Sequence, residues 1–221
     1  MKPHLQEVNK RIASISSVIT AQRKGFKEGY SFSGESFEFQ LPIWNYIWKN
    51  AGSMRAKLHA FFFLESYLAN KDLHKTIWET SAAWQEQVDG WGLCDALAKI
   101  NSKMLVTHPI EVYSTLCKWN KDDNLWKRRQ SVVSLLYYSR TKKVYLPFKK
   151  IASLVEHLLS DKEYYVQKGV GWAMREMYNV YPEQTFLFLQ QHIKKITAIA
   201  FTISIEKMDE EKKIRLKQLR K

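Results

Sequence analysis

At 221 residues, 45% hydrophobic and 14% aromatic, the chain has material for one sizeable core. Thirty-five lysines and arginines against 22 acids give a net charge of +13, which points to a polyanionic partner, nucleic acid or an anionic membrane surface. Apolar runs such as Ala60-Phe-Phe-Phe-Leu64 fall far short of the roughly 18 residues a membrane span needs, and Met1-Lys-Pro-His4 lacks a signal core, so a soluble cytoplasmic protein is expected.

Taken in chain order, the segments show helical periodicity and almost no strand alternation. An amphipathic stretch from about Leu5 to Arg23 is followed by a loop signal between Gly25 and Gly34, rich in Gly and Ser. Met54, Leu58, Phe61, Glu65 and Leu68 then step at helical spacing, and Leu73, Ile77, Trp78 and Ser81 resume it after Asn70-Lys-Asp72. Leu125, Val132 and Leu136 mark a further helix, as do Phe148, Ile151, Ala152, Val155, Leu158 and Leu159. Ser160 and Glu163 have capping-box spacing and predict a helix that starts beside them and ends at Pro182. The tail from Glu206 to Lys221 is mostly charged and reads as a solvated terminal helix. Helix pairs recurring about every 35 to 45 residues predict an all-α solenoid in a single domain over 1–221; a compact irregular bundle would use the same helices. Cys94 and Cys117 stand apart from each other and from any Cys or His at ligand spacing, and read as reduced, buried thiols without a zinc site or disulfide.

Three stretches carry candidate chemistry. In Trp84-Gln-Glu-Gln-Val-Asp-Gly-Trp-Gly92, Asp89 is either a helix N-cap or a catalytic carboxylate. In Asn124-Leu-Trp-Lys-Arg-Arg129, Lys127 and Arg128 are expected to project outward, while Arg129 shares an apolar row and needs a partner, a carboxylate or a phosphate. In Glu163-Tyr-Tyr-Val-Gln-Lys-Gly-Val-Gly-Trp-Ala-Met-Arg-Glu176, Lys168, Trp172 and Arg175 fall on one helical face, and Val166, Val170, Ala173 and Met177 on another. Each interior glycine costs roughly 1 kcal/mol against alanine, so Gly169 and Gly171 imply close approach by another helix or a ligand. A basic cluster of Lys127, Arg128, Arg140, Lys142, Lys143, Lys149 and Lys150 lies between the second and third stretches, the footprint of backbone-dominated nucleic-acid binding. Walker, Rossmann, Gly-x-Ser-x-Gly and zincin motifs are absent.

The order of these motifs resembles the DNA alkylation repair family, the HEAT-like alkylpurine DNA glycosylases of AlkD type, from about Thr76 to Gln191, more weakly from Met54 to Lys75, and not before. The resemblance implies a curved HEAT-like solenoid with a basic concave face, acting as a monomer on duplex DNA containing alkylated purines without a metal or organic cofactor. It places Asp89 at the catalytic carboxylate, Arg129 at the phosphate beside the lesion, and Trp172 at the aromatic packing on the sugar-phosphate strand, with Gly171 letting that strand come close. Lys168, Arg175, Lys127 and Arg128 would join them on the DNA, leaving the protein on the nucleoid when bound. The family's paired tryptophans before the aspartate are reduced here to Trp84, with Gln85 at the position that meets the lesion, and within the divergent N-terminal helix and loop of 1–34 the loop from Gly25 to Gly34 shows no match to the family's DNA-engaging helical segment. Three functions follow: excision of cationic N3- or N7-alkylpurines, DNA binding without efficient excision, or a protein-interaction scaffold.

Overall fold

A computed structural model describes the chain except Tyr138 and residues 141–143. Among the described residues it consists of thirteen α-helices, with two short 3-10 turns and no strand. None of these helices is long and apolar enough to cross a membrane. The chain forms two compact units, Met1–Ile100 and Asn101–Lys221.

The first unit opens with α1 (Lys2–Ala13) and α2 (Ile19–Lys27). The single amphipathic helix expected from Leu5 to Arg23 is thus broken at residues 14–18, where Ser14 closes α1 and Ser16 accepts from the Val18 amide at 3.3 Å. Serine side chains compete with the backbone for these hydrogen bonds, which apolar periodicity does not register. α2 runs through Gly25, so the loop begins later than the glycine signal suggested, and Gly29 takes its positive φ of 82°.

α3 (Phe37–Asn50) starts at the Ser36 cap and buries Phe37, Trp44, Ile47 and Trp48. α4 (Met54–Ser66) is buried on all sides along Ala56–Leu64, as expected of a helix apolar around most of its circumference. Phe63 of α4 stacks on Phe37 at 5.3 Å between ring centroids, which locks the two helices together. Two polar side chains lie within that buried stretch. His59 accepts from the Tyr30 hydroxyl and stands 3.0 Å from Gln22 Oε1, and burial beside Arg11 pushes its pKa down to about 4. The second, Lys57, bears on the site below. A 3-10 turn at Lys71–Leu73 leads into α5 (His74–Trp84), another at Gln85–Gln87 follows it, and α6 (Trp91–Thr107) begins four residues later.

The second unit continues with α7 (Pro109–Trp119), α8 (Leu125–Val133), α9 (Phe148–His157), α10 (Tyr164–Val180), α11 (Pro182–His192), α12 (Ala198–Ser204) and α13 (Glu210–Arg220). α10 is its central element, packed against α8, α9, α11 and α12. Val166, Val170, Ala173 and Met177 are fully buried, as their spacing predicts. The Ser160 capping box does not form: Glu163 is the N-cap residue and makes no side-chain cap bond. Asp161 accepts from the Glu163 amide at 2.8 Å instead, and buried Gln167 closes the α9–α10 turn through the carbonyls of Leu158 and Asp161. The C-terminal helix is docked rather than solvated, with Leu216 fully buried and Arg220 donating to the carbonyls of Ile193 and Ile196. Cys94 is buried as expected, whereas Cys117 is only half-buried; among the described residues neither forms a disulfide.

Both glycines of α10 are explained by helix packing. A Cβ at Gly171 would lie 2.8 Å from the Ala200 carbonyl oxygen and 2.9 Å from Ala200 Cα, so α12 is the close neighbour there. At Gly169 it would lie 3.1 Å from Arg129 Cγ and 3.3 Å from Val133 Cγ1, both on α8. Gly171 therefore makes room for α12, correcting its expected role of admitting a DNA strand.

Candidate functional site

Asp89 lies in the first unit on a short non-helical link. α5 tightens after Trp84 into the 3-10 turn, Val88 is extended and buried, and Asp89 and Gly90 precede α6. Trp84 is held inward: its ring stacks on Trp48 at 4.4 Å with 9° between planes, its Nε1 donates to Asn45 at 2.7 Å, and its carbonyl accepts from Trp48 Nε1 at 3.0 Å. Gln85 is fully buried and its amide nitrogen has no hydrogen-bond partner among the described residues. The two positions expected to approach DNA just before the aspartate are thus part of the core in this structure. Gln85 opens a 3-10 turn, which advances 120° per residue rather than 100°, so helical spacing could not give its direction.

Asp89 itself points outward, its side chain 78% exposed, with Oδ2 3.9 Å from Lys57 Nζ. Because α6 begins at Trp91, Asp89 lies one residue before the N-cap position. Lys57 Nζ donates to the Gln87 carbonyl at 3.0 Å. Trp91, 57% exposed, follows two residues after the carboxylate, and half-exposed Met54 places its sulfur 3.3 Å from where a Cβ at Gly92 would stand. Lys57 and Met54 did not emerge from motif reading; the available signal was a lysine inside the apolar run Ala56–Leu64.

The remaining candidates lie in the second unit, which carries 23 lysines and arginines against 12 acids, a net +11 of the chain's +13. Arg129 is 7% exposed, and its Nη1 donates to the Tyr165 carbonyl at 2.8 Å, tying α8 to the first turn of α10. This backbone acceptor is a partner that neither the carboxylate nor the phosphate reading anticipated. Lys127 and Arg128, expected to project outward, are folded back on the chain. Lys127 pairs with Asp122 at 3.2 Å, and Arg128 grips Asp161 at 2.6 Å and the carbonyls of Asp122 and Asp123. These contacts brace the loop before α8, whose Asp122 carboxyl is held below its usual range by the Asn124 amide and by Lys127.

On α10, Lys168 is exposed, with its Nζ 5.5 Å from the centre of the Tyr164 ring. Trp172 is half-exposed and lies 5.8 Å from the Tyr137 ring. Arg175 is engaged by Glu206 and by Glu176, the latter at 3.5 Å, so binding an external anion would compete with existing pairs. Tyr164 and Tyr165 are also exposed, and Trp126 lies 5.2 Å from Tyr165. This aromatic group at the α8–α10 end went unassigned in the sequence because residues 126 and 165 meet only through tertiary packing. Of the wider basic cluster, Arg140, Lys149 and Lys150 are exposed, while Lys142 and Lys143 lie outside the described residues.

Comparison with known proteins agrees with this architecture. The family model described as DNA alkylation repair enzyme matches residues 37–208, well beyond the stretch over which the motifs alone were legible. Among solved structures, AlkD2 from Streptococcus mutans superposes with a TM-score of 0.67 at 17% identity, covering 94% of this chain and 99% of that one. A predicted DNA alkylation repair enzyme from Enterococcus faecalis gives a TM-score of 0.67 at 14% identity, over 86% and 84% of the two chains. Identities this low speak to the fold alone. No curated protein matches the sequence significantly.

Proposed function

The chain belongs to the DNA alkylation repair enzyme family, and from that premise we propose that it is a monofunctional DNA glycosylase releasing cationic N3- or N7-alkylated purines from duplex DNA. Family membership over 37–208 carries this reading, and the solvent-facing Asp89 carboxylate supports it at the level of the site. Alkylation at either nitrogen makes the purine a positively charged leaving group. Its departure leaves an oxocarbenium-like sugar, which a nearby carboxylate stabilises electrostatically while positioning the attacking water. Asp89 is exposed enough to meet both. In this scheme nearly buried Arg129 and exposed Lys168 meet the flanking phosphate, and half-exposed Trp172 packs on the sugar-phosphate strand.

A second reading is a DNA-binding protein with little or no excision activity. Buried Gln85 favours it: the position that would carry a lesion-contacting aromatic is polar and turned into the core. Incubating the full chain with duplex DNA bearing 7-methylguanine separates the two. Excision by the wild type and its loss in Asp89→Asn, with undamaged-duplex affinity retained, is expected. Release that survives Asp89→Asn would remove the carboxylate from the mechanism, and salt-sensitive binding without release would favour the second reading.

A further inference from the structure

Lys57 is a cation set within a helix stretch buried on every side. A buried ammonium is costly unless its protons find acceptors, and both of its acceptors belong to the link that carries Asp89. One is the Gln87 carbonyl at 3.0 Å, two residues before Asp89; the other is the Asp89 carboxylate at 3.9 Å. The two contacts differ in weight. Asp89 is largely exposed, so solvent screens its attraction to the ammonium, whereas the shielded, charge-assisted bond to Gln87 is the stronger restraint.

We infer that Lys57 is a positioning residue for Asp89: it clamps the Gln87 carbonyl, while buried Val88 anchors the other side of that clamp, and so aims the carboxylate outward. This rests on the reading of Asp89 as the reaction's carboxylate. The 3.9 Å separation is longer than the 2.7–2.9 Å or so of a charge-assisted hydrogen bond, so neither carboxylate oxygen is consumed by the lysine and both can serve the sugar and the water. Met54 stands one turn before Lys57 on α4, and Trp91 follows Asp89, so the clamped link is flanked by exposed apolar side chains suited to packing on a nucleotide.

The test measures single-turnover release of 7-methylguanine from duplex DNA by the full chain, together with affinity for undamaged duplex. Lys57→Met should slow release on the order of 10²-fold, the effect of misplacing a reacting group by about 1 Å, with affinity held to within about twofold. Lys57→Arg should restore most of the rate. Wild-type release by Lys57→Met alongside an inactive Asp89→Asn would overturn the role of Lys57 and leave that of Asp89 standing. A parallel loss of affinity and thermal stability would make Lys57 merely structural, which also overturns the inference. Should the wild type release no base, the reading of Asp89 fails, and the clamp is then read from the carbon-13 carboxyl signal of Asp89. That signal should move in Lys57→Met while that of Asp95 on α6 holds; an unmoved signal overturns the clamp.

Discussion

Replacing Gly171 by alanine sets two effects of known sign against each other. Alanine is favoured over glycine inside a helix by about 1 kcal/mol. The new methyl, however, would stand 2.8 Å from the Ala200 carbonyl oxygen, 2.9 Å from Ala200 Cα and 2.9 Å from Ile203 Cβ. Two of these atoms are backbone, so relief requires α12 to move away by several tenths of an ångström, and overpacking of this kind costs about 1–3 kcal/mol or more. With clashes this short the upper part of that range applies, leaving a net destabilisation of about 1–2 kcal/mol, or about 3–6 °C in Tm for a chain of this size. Gly169→Ala is the internal contrast. Its neighbours are side chains, Arg129 Cγ at 3.1 Å and Val133 Cγ1 at 3.3 Å, which can yield, so its Tm should fall by less. Thermal denaturation of both variants, with Gly34→Ala as an open-site control, checks the order. An unchanged Tm for Gly171→Ala would refute the packing argument. Lost DNA affinity at unchanged Tm would return Gly171 to the nucleic-acid face.

Buried His59, held neutral with its pKa near 4 against 6.5 when unfolded, makes stability pH-dependent. Protons bind the unfolded state first, so stability should be complete above about pH 6.5 and fall as pH drops toward 4, by about 3 kcal/mol in all. Denaturant midpoints that stay flat between pH 6.5 and 4.5 would contradict this. Arg128→Ala removes the grip on Asp161 and two loop carbonyls, and should cost about 1.5–3 kcal/mol while leaving Lys168 and Trp172 in place. A variant of wild-type stability that loses DNA affinity would show instead that Arg128 faces DNA.

What was legible in the sequence followed from periodicity and from chemistry confined to one element. The apolar row of α10 is buried as its spacing requires, because a regular helix fixes the angle between residues. Pro182 stands at the start of α11, just past the end of α10, since proline lacks the amide a helix interior needs. The direction of Gln85 was not legible, because the chain leaves the α-helical phase at that residue, passing through a 3-10 turn and an extended residue before Asp89. The fate of Arg128 and Arg175 was hidden for another reason. Their acidic partners Asp161 and Glu206 lie 33 and 31 residues away, beyond any local pattern.

By itself the sequence determined an all-helical chain, its excess positive charge, the family-like order of Asp89, Arg129 and Trp172, and a close approach at Gly169 and Gly171. Those properties depend on residue type and on spacing within single helices. Tertiary structure alone decided what makes the approach, which is α8 and α12, and which cations are left to meet an anion. It also set Lys57 beneath the Asp89 link. Each of these is a contact between side chains or backbones distant in sequence, and the packing of one helix on another, not the periodicity of either, determines who the neighbour is.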